Sequence, residues 1–141
     1  MSPSRPRLPR RRSALAAAIL LLVFGGLATL VAVYRVLLSG GPAVGDASIL
    51  LLFGVAELSA GMLVLQRHAA GRLVGMVLGA IAAAVSIIGV LSSVGQEKLD
   101  AATGTVSSGI ELFSLVVSAI VLVAHTAISL LLIRWGGALP G

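Results

Sequence analysis

Two ionisable residues stand inside long apolar runs, and their chemistry is the first question this sequence raises. Glu57 lies in GVAELSAGMLVLQRH, residues 54–68, and is the only charged residue between Asp46 and Arg67. His125 lies in a second run, Leu112 to Ile133, that carries no other ionisable group. A charged side chain at the centre of a membrane helix costs roughly 2.5–3.5 kcal/mol on insertion scales. A lone carboxyl there is expected to be protonated and neutral. Paired with an imidazole, it would share one proton, and the titration would belong to the couple.

Two uses fit such a group. An intramembrane acid is by default a proton- or cation-handling site. Alternatively, the neutral carboxyl is a hydrogen-bonding pin between helices. Such bonds average only about 0.6 kcal/mol and mainly fix register. Spacing bears on both readings. At about 100° per residue, Glu111, Ser114, Ser118, His125 and Ser129 fall within a sector of about 60–80°. In the second apolar run, Gly54, Glu57, Gly61 and His68 are expected on one face of a helix. Both stripes are expected to turn away from lipid. Measured from Arg67 and Arg134, Glu57 and His125 should lie about 15 Å and about 13–14 Å deep, near one level. Glu57, His125, Ser118 and Ser129 are therefore the candidate intramembrane polar site. Glu111 is an outer-side acid, expected near the first turn of its helix, where negative charge is favoured.

Other chemistries find little support. There is no cysteine, so disulfides, thiolate metal sites and cysteine nucleophiles are excluded. No phosphate-binding loop, GxSxG elbow or HExxH occurs. His68, His125 and the acids lack the clustering of a metal site. An enzyme is not expected, and neither metal nor cofactor is implied.

The elements that must hold these residues follow from composition. The chain has 141 residues, 58% hydrophobic and only 11% charged, with a mean hydropathy of +1.12. A soluble domain carries about 25% charged residues. A chain this apolar and this short cannot keep a water-facing surface, so it reads as an integral membrane protein. The formal charge of +5 would suggest nucleic acid in a soluble chain. Here the basic residues sit in the N-terminal tail and at span ends, without an aromatic platform, so nucleic acid is not an expected partner. Orientation and anionic lipid explain them better.

Four spans are predicted at about 13–34, 47–65, 73–95 and 110–133, each long enough to cross a core roughly 30 Å thick. Unpaired backbone groups are not tolerated in hydrocarbon, so the runs must be helices. The all-α reading is a transmembrane four-helix bundle of up-down topology, residues 13–135. Residues 1–12, MSPSRPRLPRRR, form a basic tail expected to be disordered, with Arg5, Arg7, Arg10, Arg11 and Arg12 on anionic headgroups. The proline spacing also fits a polyproline II docking peptide. Residues 136–141 are a short C-terminal tail. The first run is too long for a signal-peptide core and lacks a following cleavage site, so it is expected to be retained. SGGPAVGD, residues 39–46, and QEKLDAATGTVSSG, residues 96–109, read as connecting loops.

The flanking charges orient the bundle. Arg5, Arg7, Arg10, Arg11, Arg12, Arg67, Arg72 and Arg134 fall on one side, against Arg35 and Lys98 on the other. Both termini are therefore expected in the cytoplasm. Helices in lipid associate through close backbone contact. Gly71, Gly75, Gly79 and Ala83 recur every fourth residue of the third span, continued by Ala82, Ser86, Gly89 and Ser93. This span is expected to be the tightest packer. Gly25, Gly26 and Thr29 in the first span, and Gly54 and Gly61 in the second, offer matching small surfaces. Such a stripe serves packing within the bundle, a homo-oligomer, or docking to a larger membrane complex.

The stretch GVAELSAGMLVLQRHAAGRLVGMVLGAIAAA resembles the middle of a broad group of uncharacterised small four-span bacterial membrane proteins. Gly61, Leu65, Arg67, Gly71 and Arg72 carry the likeness. The resemblance implies the four-helix architecture and no assigned activity; the chain is expected in a bacterial inner membrane. Small multidrug exporters also have four spans, but their membrane glutamate lies in the first helix, where this sequence has none. The expected function is that of an accessory, structural or interaction subunit. The alternative is a small proton-coupled transporter or ion-handling element using Glu57 and His125.

Overall fold

The computed structural model describes residues 8–39, 44–104 and 109–136. The side chains of residues 8–11, 39, 44, 46, 97, 99–101, 103, 109–111 and 136 fall outside that description. The described chain is helical in four elements: α1, Leu8–Ser39; α2, Val44–Leu65; α3, Ala69–Thr103; and α4, Gly109–Gly136. Each contains a stretch long and apolar enough to cross a membrane: Arg12–Leu38, Ala47–Leu65, Ala69–Gln96 and Leu112–Trp135.

Three boundaries differ from the sequence expectation. First, α1 begins at Leu8, so Arg10–Arg12 lie on its opening turns rather than in a disordered tail. Pro9 permits this, because the N–H it lacks would have no intrahelical partner in the first turn. Second, α2 begins at Val44, taking up the last three residues of the expected turn. Third, α3 runs on through Thr103, so QEKLDAAT is helix and not loop. Leaving hydrocarbon ends the need for apolar side chains, but it does not end a helix. Glu, Lys, Leu and Ala are good helix formers. The winding stops at Gly104, whose φ of +72° is open to glycine at no steric cost.

The α2–α3 connection is a tight turn with defined hydrogen bonds. The His68 N–H donates to the Leu63 carbonyl at 2.8 Å, and the Arg67 N–H to the Val64 carbonyl at 3.0 Å. This pair of bonds is a Schellman motif, and it requires a left-handed residue after the last turn. That residue is Arg67, with φ of +60°, where glycine would be expected. The reversal sets α3 directly against the end of α2. A Cβ on Gly71 would stand 2.6 Å from Leu63 Cβ and 2.7 Å from Val64 N.

The chain forms two compact units, Met1–Leu78 with Ile128–Gly141, and Gly79–Ala127. In the first, α1 and α2 pack along each other. Their contacts pair Gly25 and Thr29 with Gly54, and Ala18 and Leu22 with Gly61. Residue numbers fall on one helix as they rise on the other, so the pair runs antiparallel. The unit's core gathers Ala14, Ala17, Ala18 and Leu21 of α1, Ala60 and Val64 of α2, Leu78 of α3, and Ile128 and Leu132 of α4. Alanine predominates on α1, and small side chains let neighbouring backbones come close. In the second unit, a Cβ on Gly89 of α3 would stand 2.8 Å from the Ser118 hydroxyl of α4.

Most side chains of every span are exposed or only partly buried. No more than 28% of any span's most apolar window is buried. Exposed Ser59 donates its hydroxyl to the Val55 carbonyl of its own helix at 2.8 Å. That bond removes a polar group from contact with lipid.

Candidate functional site

Glu57 is 1% exposed, and its place is set by glycine. Gly54, Glu57 and Gly61 share one face of α2, and all are buried against α1. An added Cβ on Gly25 would meet the Gly54 carbonyl oxygen and Leu58 N at 2.8 Å, and Glu57 Cβ at 2.9 Å. A Cβ on Gly54 would meet the Thr29 hydroxyl at 2.6 Å and the Gly25 carbonyl oxygen at 2.8 Å. The two backbones therefore touch at Gly25 and Gly54, one turn from the glutamate. Thr29 completes the seam by donating its hydroxyl to the Gly25 carbonyl at 2.8 Å. Two backbone carbonyls and a hydroxyl thus lie in the same seam that clamps the stem of Glu57. The arrangement suits a group that holds two helices in one register.

His68 does not join this face. α2 ends at Leu65, and the left-handed Arg67 throws the chain out of the helix before His68, which is exposed. A strict helical wheel carried the residue past a helix end that the local sequence does not announce, since no glycine marks it.

His125 lies in the second unit and is 2% exposed. Its Nδ1 is 2.8 Å from the Val121 carbonyl oxygen. A carbonyl only accepts, so the ring proton sits on Nδ1, and in the neutral ring Nε2 is the acceptor. Ser118 is half-buried over Gly89, whose carbonyl accepts the Ser93 hydroxyl at 3.0 Å. Ser86 is buried in the same unit. Ser129, in the first unit, is half-buried, and Ser114 is exposed, so the stripe on α4 turns inward only from Ser118 onward. Glu111 is within α4, but its side chain falls outside the described ones.

The packing residues are placed as follows. Gly71, Gly75 and Gly79 are buried and Ala83 is half-buried. A Cβ on Gly75 would meet Leu132 Cδ1 at 2.8 Å and Leu21 Cδ1 at 3.3 Å. Of the basic tail, Arg12 is exposed. Arg10 and Arg11 are on the helix with side chains not described, and Arg5 and Arg7 lie outside the described residues. Among the described residues, no three His, Asp or Glu side chains group as metal ligands would.

Sequence reasoning did not single out two features. One is the seating of Glu57 on Gly25, although both residues were visible as members of matching faces. The other is Arg72, whose Nε is buried and has no hydrogen-bond partner. Its position beside Gly71 was the available signal, because a helix start pressed against its predecessor encloses the side chains next to it.

Compared with known proteins, the chain matches no family model, no curated protein and no solved structure at a significant level.

Proposed function

We propose that this chain is a small accessory or structural subunit of a bacterial inner membrane, acting by helix association, with Glu57 as an interhelical pin. Its four spans run up and down, with both termini cytoplasmic. The antiparallel α1–α2 pair, the tight turn into α3 and the excess of arginine at one set of span ends support that topology. The observation that carries the functional reading is the clamped, 1% exposed position of Glu57 between two touching backbones. A group that must exchange protons with water needs an aqueous route. A register pin needs the enclosure seen around Gly25 and Gly54. The outward-facing apolar side chains of all four spans are compatible with lipid and with a second membrane protein or another copy of the chain.

A second reading, proton handling, draws on the burial of two ionisable residues, Glu57 and His125. One experiment separates the two. The chain and its Glu57→Gln variant are reconstituted into vesicles, and proton flux is followed with a pH-sensitive dye, while the variant's association in mild detergent is followed by native mass spectrometry. The pin reading expects no flux in either protein and unchanged association in the variant. A flux present in the parent and lost in a folded Glu57→Gln variant overturns it.

A further inference from the structure

Arg72 Nε is the one buried side-chain nitrogen or oxygen without a hydrogen-bond partner among the described residues. A buried donor left unmet is destabilising, the more so when it is charged. The same turn holds a second cost. Arg67 occupies a left-handed conformation, φ +60°, with its side chain exposed. Glycine would adopt this conformation without the steric cost that a side chain brings. An exposed side chain gains no packing there, so what arginine adds over glycine is its charge and its donors.

A third guanidinium belongs to the same end of the unit. Gly75 faces Leu132 across the α3–α4 contact. Arg72 lies one turn before Gly75, about 4.5 Å along the axis, and Arg134 lies two residues beyond Leu132, about 3 Å. Trp135 follows and packs on the core, half-buried. Three arginines thus stand at span ends, where phosphate headgroups lie, and one of them, Arg134, adjoins an indole of the kind that favours that depth.

We propose that Arg72, with Arg67 and Arg134, binds the phosphate of an anionic phospholipid headgroup, the enclosed Nε of Arg72 fixing the stem from which the terminal nitrogens of its half-buried guanidinium donate. Guanidinium donates to phosphate through fixed, planar N–H groups, which an ammonium cannot reproduce. The inference rests on the membrane reading above but not on which leaflet the site faces. It differs from a diffuse basic tail on a charged surface, which any cation would supply.

Trp135 is the sole tryptophan and adjoins Arg134, so it reports on the site directly. The full chain in neutral detergent is titrated with brominated phosphatidylglycerol and, separately, with brominated phosphatidylcholine, and quenching of Trp135 is read. Half-quenching is expected at about tenfold lower mole fraction for phosphatidylglycerol. Arg72→Lys should lose most of that preference while keeping the charge, and Arg72→Gln should lose all of it. Arg35→Gln, at the other set of span ends, should lose none. Equal preference in the parent and a folded Arg72→Lys variant, judged by circular dichroism, overturns the proposal in favour of diffuse charge. Inorganic phosphate at millimolar concentration is the further arm. If it displaces the brominated phosphatidylglycerol as well as unbrominated phosphatidylglycerol does, the ligand is soluble phosphate and the lipid assignment fails. Failure of the membrane reading is distinguished by a different measurement, release of the chain from membranes by alkaline carbonate.

Discussion

A Cβ placed on Gly25 would stand 2.9 Å from the Cβ of Glu57 and 2.8 Å from the Gly54 carbonyl oxygen. The buried acid of α2 is seated on bare backbone of α1, so the position of the carboxyl and the closeness of the helices are one property. The neighbouring glycine is different: around Gly26 nothing lies within 4 Å of an added Cβ.

That contrast gives the first prediction. Gly25→Ala places a methyl against backbone atoms that cannot rotate away, so the helices must part, at a cost of about 1–3 kcal/mol. Gly26→Ala should be neutral or stabilising by up to about 1 kcal/mol through helix propensity. Unfolding in mixed micelles, followed by circular dichroism, measures both. Equal effects of the two substitutions would sink the seam as described.

A second contrast lies on α3. At Gly71 an added Cβ meets Leu63 Cβ and backbone of the α2 terminus, whereas at Gly75 it meets the tips of Leu132 and Leu21. Leucine ends can change rotamer and helix backbone cannot. Gly71→Ala is therefore expected to cost about 1–3 kcal/mol, and Gly75→Ala less than about 1 kcal/mol. The same unfolding assay ranks them.

Arg67→Gly should stabilise the folded chain by about 1 kcal/mol, because it relieves the left-handed turn between α2 and α3. It should also weaken quenching of Trp135 by brominated phosphatidylglycerol, since a guanidinium is lost. A variant that gains stability with no loss of lipid preference would remove Arg67 from the proposed site and leave Arg72 and Arg134.

The number and kind of the elements were legible because hydrocarbon imposes one strong condition: long uncharged runs must be helical. Their ends were not. The sequence loses apolar character at Gln96 while α3 continues to Thr103, because a polar run of good helix formers satisfies water and helix alike. At the start of α1, three arginines read as a tail, although Pro9 and its neighbours can open a helix. The reversal at Arg67 carried no glycine to mark it, and so His68 was assigned to a face it does not share. Of the candidate site, the burial of Glu57 and His125 could be anticipated from isolation among apolar residues. The seat of Glu57 could not, since period and spacing give a residue's face but not the partner that face meets.

The added length of α3 has its own consequence. Seven residues continue the helix past the apolar stretch that ends at Gln96, about 10 Å of rigid shaft. Because the helix is unbroken from Ala69 to Thr103, its polar tip and its apolar shaft share one axis, and the direction in which the tip points is set by the tilt of the apolar part.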